Sequence, residues 1–206
     1  TTAEAGAPTF LTHGPQYDAP VADLGWAADH AEAYAWRTDL GEARPMGVAT
    51  RRWLLREPVG VVGAVTPWNF PHQINLAKVA PALAAGCTVV LKPAPDTPWA
   101  AAVLGELAAG ADLPPGVLNV VNGADHALGA QLSSDPRVDR VSFTGSTATG
   151  RRVMASAAEN LTKVFLELGG KSAYIVFDDA DLGAAASMAA FNACTHAGQG
   201  CAITTR

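Results

Sequence analysis

Cys201 stands in the stretch HAGQGCAITTR, residues 196–206, just past a Gly-Gln-Gly break that closes an Ala-rich, helix-like run. A free cysteine is usually a small buried hydrophobe, and Cys87 and Cys194 read that way. The context of Cys201 differs, because glycines let backbone and substrate approach its sulfur closely. A thiol so placed can attack an electrophilic carbon. Glu167, in LELGGKS (166–172), is a lone carboxylate in an apolar run. Partly desolvated, it suits a general base working near neutrality; the alternative is a solvated glutamate at a strand end. Asn69 lies in TPWNFP (66–71), where two prolines stiffen the loop. Its amide is either an oxyanion donor or an Asx turn that satisfies its own backbone.

Two further loops offer phosphate or ribose chemistry. In FTGSTATGRR (143–152), Gly145 and Ser146 stand where a helix begins, so backbone N–H groups and the helix dipole favour an anion such as a pyrophosphate. Arg151 and Arg152 occupy the places where a P-loop requires Lys and Ser or Thr, which argues against nucleotide hydrolysis. Lys92, in LKPAPDTP (91–98), can reach a ribose or phosphate as a point charge, or is simply an exposed strand-end lysine. No Gly-x-Gly-x-x-Gly occurs; NGADHALG (122–129) offers only Gly123 and Gly129.

The elements that must position these loops alternate in kind. Apolar runs VGVVGAV, TVVLKPA, GVLNVVNG, RVSFTGS, KVFLELGG and SAYIVFDD read as strands. Between them HQINLAKVAPALAAG, PWAAAVLGELAAG, HALGAQLSS and TATGRRVMASAAE read as helices, and DLGAAASMAAFNACTHAG as another, capped by Asp181. Nearly continuous apolar strands alternating with helices predict an α/β fold with a doubly wound, Rossmann-like parallel sheet covered on both faces. Right-handed crossovers then line the strand-to-helix loops along one edge, where ligands bind. Residues 1 to about 40 read as helical. The alternation in RPMGVATRRWLLREPVG reads as a β-ribbon whose arginines and Trp53 need a partner surface.

Composition bounds the function class. The chain has 206 residues, 49% hydrophobic and only 16% charged, enough for a sizeable core. A net charge of -5 without long charge runs argues against nucleic acid or an anionic membrane as partner. No apolar run is long enough for a membrane span. Three cysteines do not make a disulfide framework, and a reducing, cytoplasmic setting fits.

Taken in order, TPWNFP, LKPA, FTGSTATGR, LELGGKS and GQGCAITTR, with Glu167 and Cys201 34 positions apart, resemble the aldehyde dehydrogenase superfamily. The resemblance implies a longer parent chain, of which this would be an internal fragment lacking both ends. It implies a dinucleotide-binding domain from residues 1–40 and 59–170, an oligomerisation ribbon at 41–58, and the beginning of a catalytic α/β domain at 171–206. By the same resemblance Cys201 is the nucleophile, Asn69 an oxyanion donor and Glu167 the residue that activates water. NAD would be held by Val65, Thr66, Pro67, Trp68, Lys92, Gly129, Gly145, Ser146, Leu168 and Gly169. The family often carries Glu three residues after the lysine, where this chain has Pro95; that loss weakens repulsion of a 2′-phosphate and leaves NADP open. Asp125 departs from a position that is often glycine or proline. The expected substrate is a small aldehyde, and the full-length protein is expected to be a homodimer or homotetramer.

Other functions fit parts of the pattern. A CoA-acylating dehydrogenase would generally do without a carboxylate base. The chain could be a dinucleotide-binding module without catalysis. His196 could serve Cys201 as base in a Cys-His hydrolase. Cys194, His196 and Cys201 offer three metal ligands at an unhelpful spacing.

Overall fold

The computed structural model describes all residues, 1–206. The N-terminal segment carries α1 (Thr2–Ala5), α2 (Thr9–Thr12) and α3 (Asp18–Ala31). An antiparallel ribbon follows, β1 (Arg37–Ala43) and β2 (Thr50–Leu55). The alternating region comprises β3 (Val61–Val65), α4 (Pro71–Ala84), β4 (Thr88–Lys92), α5 (Trp99–Gly110), β5 (Leu118–Val120), α6 (Ala127–Ser134), β6 (Arg140–Gly145), α7 (Thr147–Ala158) and β7 (Lys163–Leu168). It closes with α8 (Leu182–Cys194) and a short turn, Thr195–Gly198.

Strands β3 to β7 form one five-stranded sheet in the order β5-β4-β3-β6-β7, and every pairing is parallel. The inner strands β3, β4 and β6 are buried from both faces, as their composition requires, whereas the edge strand β7 exposes one face, with Lys163, Phe165 and Glu167. Val62 and Ala64 pack with Val79, Val89, Leu91 and Ala101, under α4 and α5. Val61 and Val65 point the other way, onto Val138, Val141, Phe143 and Val153, under α6 and α7. The doubly wound architecture follows from this alternation along a single strand. The chain winds outward from β3 through β4 to β5, then returns to lay β6 on the other side of β3. That reversal makes the carboxyl ends of β3 and β6 the crevice where a ligand fits in such a sheet.

Two close approaches hold the frame. Gly60 enters β3 at φ +112°, a conformation that L side chains rarely adopt, and a Cβ there would lie 2.1 Å from the Asp139 carboxylate. That carboxylate accepts the Val61 N–H at 2.7 Å and ties β3 to the segment before β6. The Glu4 carboxylate reaches the start of α5, accepting N–H bonds from Trp99 and Ala100 and satisfying orphan donors there.

Four expectations are corrected. The first ribbon strand starts at Arg37, inside the segment read as helical. Its ladder comes from pairing with β2 and carries a bulge between Asp39 and Gly41, so local propensity did not announce it. The ribbon's charged groups also meet part of their own needs. Arg51 pairs with Asp39, and the Arg37 guanidinium lies 5.1 Å from the Trp53 ring centroid. SAYIVFDD is not a strand. A strand needs a neighbour to bond, and the only ladder contact nearby is the single bridge Ser172–Thr204; Ile175 and Phe177 are exposed. Cys194 is exposed, because α8 buries none of its residues, whereas Cys87 is buried as expected.

Candidate active site

A cleft of about 570 Å³ opens at the carboxyl ends of β3, β6 and β7. Its walls include Asn69 from the loop after β3, Glu167 from β7 and Cys201 from the segment after α8. Pro67, Trp68, Gly145, Ser146, Leu168 and Gly169 line the same space. Nine of the thirteen site residues singled out in the sequence therefore share one cavity, although they come from four separate stretches of chain.

Asn69 is not an Asx turn. Its amide Nδ2 donates to the Gln199 carbonyl at 2.8 Å, two residues before the cysteine. One amide hydrogen is thus spent on joining two loops, and the other is left for a further acceptor. Cys201 is exposed on irregular backbone, outside any helix or strand. Glu167 is also exposed, which corrects the expectation of a desolvated carboxylate: it lies on β7, an edge strand of the sheet, and its side chain faces the cleft.

A second cavity, of about 550 Å³, lies between α6 and α7 and borders the same strand ends. Val65, Lys92 and Gly129 line it, together with His126, Thr149, Arg152 and Ser156, whose residue types and spacing carry no ligand signal in the sequence. Thr66 lines neither cavity. It is buried, and its hydroxyl donates to Asn75 Oδ1 at 2.7 Å, which fixes the loop after β3 to α4. Lys92 is 4% exposed and donates to the Pro93 carbonyl at 3.0 Å, so it is not a free strand-end lysine. Burial lowers its pKa, and the charge of Asp125 opposes that shift. Asp125 also accepts the Ala127 N–H at 2.8 Å, so this unusual residue, one before the N-cap His126, satisfies the first orphan donor of α6. Ser146 caps α7 by accepting the Thr149 N–H at the helix start where the sequence places it.

Lys78 carries no functional signal in the sequence, because it sits mid-helix in an otherwise apolar stretch. It is buried, donates to Ser142 Oγ at 2.8 Å, and lines a cavity that also contains Glu167. Burial lowers its pKa to about 8, against the opposing charge of Glu167. His196 is 2% exposed and its Nε2 lies 2.8 Å from the Asn69 carbonyl, so that nitrogen is engaged away from any role as a thiol's base. No group of three or more His, Cys, Asp or Glu side chains is arranged to hold a metal ion.

A thiol, a rigid amide donor and a carboxylate in one cleft, beside a second cavity at the switch point of a parallel sheet, suit nucleophilic chemistry on a carbonyl next to a bound nucleotide. The Aldehyde dehydrogenase family model matches residues 1–206. The chain belongs to the aldehyde dehydrogenase family. It is 44% identical over 205 residues to betaine aldehyde dehydrogenase 1 of Oryza sativa subsp. japonica, covering 95% of this chain and 40% of that protein. It is 46% identical over 187 residues to the succinate-semialdehyde dehydrogenase [NADP(+)] GabD of Escherichia coli (strain K12), covering 89% and 39%. Among solved structures, the Mycobacterium tuberculosis aldehyde dehydrogenase complexed with NAD+ superposes with a TM-score of 0.90 at 42% identity, over 98% of this chain and 41% of the other. The chain thus spans about 40% of the length of these relatives. No helix is long and apolar enough to cross a membrane.

Proposed function

We propose that the protein containing this chain oxidises a small aldehyde to a carboxylic acid with NAD or NADP, using Cys201 as nucleophile. The observation that carries the reading is the shared cleft of Cys201, Asn69 and Glu167. The Cys201 thiolate bonds to the aldehyde carbon and forms a thiohemiacetal. The free amide hydrogen of Asn69 and the Cys201 backbone N–H stabilise the oxyanion that results. Loss of hydride from that carbon leaves a thioester on the sulfur, and Glu167 draws a proton from the water that hydrolyses it.

The residues present fit a dinucleotide. The cavity between α6 and α7 combines an apolar floor, Val65, Phe143 and Val153, with the cations Lys92 and Arg152 and the hydroxyls of Thr149 and Ser156. The N-terminus of α7, at Ser146, opens beside it and favours a phosphate charge. Val65, Thr66, Pro67, Trp68, Gly129, Gly145, Leu168 and Gly169 would complete the holding surface, with Thr66 acting by fixing its loop. When bound, the nicotinamide supplies the two-electron acceptor. Two cations, with Pro95 at the position where a ribose-binding glutamate is common in the family, make 2′-phosphorylated cofactor acceptable; GabD is named for NADP(+) and the M. tuberculosis neighbour was solved with NAD+.

The domain reading rests on the same placement. Residues 1–36 and 59–170 form the cofactor-binding unit, the oligomerising ribbon takes in β1 from Arg37 and runs to 58, and 171–206 begin the catalytic unit. The ribbon exposes Leu40, Trp53, Leu54 and Leu55, which supports assembly as a homodimer or homotetramer. A cytoplasmic setting is consistent with three free cysteines.

The test is aldehyde-dependent NAD(P)H formation by the full gene product, with Cys201→Ala as control and product analysis in the presence of coenzyme A. The proposal expects free acid and no turnover by C201A. Acyl-CoA formed in place of acid would replace hydrolysis by acyl transfer, and cofactor binding without turnover would make the protein a binding module.

A further inference from the structure

The turn that leads to Cys201 is held in an unfavourable backbone conformation. His196, Ala197 and Gly198 are consecutive left-handed residues, at φ +51°, +55° and +76°. Only glycine adopts that region without cost, so a surrounding structure must hold the other two. The His196 side chain supplies that hold. Its ring is buried, packs edge-on against Phe70 at 5.1 Å, and brings Nε2 to 2.8 Å from the Asn69 carbonyl. A carbonyl only accepts, so Nε2 carries the proton.

Gln16 supplies a second donor to the same oxygen. It is fully buried, and its Nε2 lies 3.2 Å from the Asn69 carbonyl. With both nitrogens donating, the 3.4 Å approach of Gln16 Nε2 to His196 Nε2 is a packing contact and not a hydrogen bond. Asn69 in turn gives its own amide to Gln199. Three distant stretches, around residues 16, 69 and 196–199, therefore close on one asparagine, whose carbonyl lone pairs are both used and whose amide keeps one free hydrogen.

Resting on the function proposed above, we propose that His196, assisted by Gln16, is a positioning residue that locks the Asn69 loop onto the turn before Cys201. The lock fixes the oxyanion donor relative to the sulfur. Preorganised donors contribute because they need no rearrangement as charge develops, and a donor free to swing loses that advantage.

The experiment uses the full gene product and four substitutions. His196→Asn tolerates the left-handed backbone but is too short to reach the carbonyl. It should lower kcat by about ten- to a hundredfold, a part of what loss of the donor itself costs, with the KM for cofactor unchanged. Gln16→Met keeps the volume without the N–H and should lower kcat by a few fold. His196→Gln offers an amide N–H near the position of the ring nitrogen and should restore most of the rate. Combined with Asn69→Ala, His196→Asn should add no further loss, because the group it positions is already gone. Multiplying losses in that double variant, or an unchanged kcat in H196N, would overturn the lock. Hydrogen exchange supplies a readout independent of turnover: protection of segments 66–70 and 195–201 should fall together in H196N. If the wild-type protein forms no NAD(P)H from aldehydes, the functional reading fails and exchange alone decides the lock; unchanged protection would then refute it.

Discussion

Lys78 gives a sharp quantitative test of the electrostatics next to the cleft. Its ammonium is buried against Ser142 Oγ, and burial lowers its pKa from 10.5 to about 8. A lysine whose folded pKa lies below its unfolded value binds fewer protons in the folded state between those two values. The charged form is therefore disfavoured by folding, and the penalty is fully present below about pH 8. It is relieved as pH rises toward 10.5, so this group makes stability increase with pH across that window. The shift corresponds to roughly 3 kcal/mol at 1.36 kcal/mol per unit, most of it relieved by about pH 10. Lys78→Met removes the titration while leaving Ser142 without its donor, a loss of about 1–3 kcal/mol. At pH 7 the two effects nearly cancel. The stability difference between wild type and K78M should instead drift by about 2–3 kcal/mol in favour of wild type between pH 7 and about pH 10. Paired denaturant titrations of the full gene product at several pH values measure it, since other titrating groups cancel in the difference. A difference that stays constant over that range would show that Lys78 is not held as described.

Other consequences are more local. Gly60→Ala places a methyl against the Asp139 carboxylate at a positive φ, so the Asp139–Val61 bond should break and stability fall by about 2–4 kcal/mol in denaturant unfolding. Ser146→Ala removes the cap of α7 and should cost about 1 kcal/mol, with weaker cofactor binding by calorimetry if that helix start holds phosphate. Asn69→Ala should lower kcat by about 10²–10³ while KM changes little, measured by steady-state NAD(P)H formation; a rise in KM alone would assign Asn69 to ground-state binding.

Much of the frame was readable because the inner parallel strands β3, β4 and β6, buried on both faces, have a strong apolar signature. The five strands of the sheet and their helices stand where VGVVGAV through KVFLELGG implied, Asp181 caps α8 as read, and α7 begins at Ser146 as read. What escaped depended on partners remote in sequence. Arg37–Ala43 becomes a strand because β2 pairs with it, and SAYIVFDD has apolar residues but no edge to join. At the site, residue types and loop stiffness pointed to Asn69, but only tertiary structure shows its amide on Gln199 and its carbonyl under Gln16 and His196. Lys78 and Lys92 looked ordinary in sequence; burial sets their character, and burial is a property of the fold. Glu167 ran the other way, since an apolar neighbourhood along the chain did not become a covered one in space.

The central claim is that Cys201 carries the substrate as a thioester that Glu167 helps to hydrolyse. Glu167→Gln keeps the shape of the side chain and removes the base. Mixed with aldehyde and cofactor, that variant should release a single burst of NAD(P)H and accumulate one acyl group, located by mass spectrometry on the peptide containing Cys201. Full turnover without an acyl adduct, or an adduct on Cys87 or Cys194 in its place, would contradict the account.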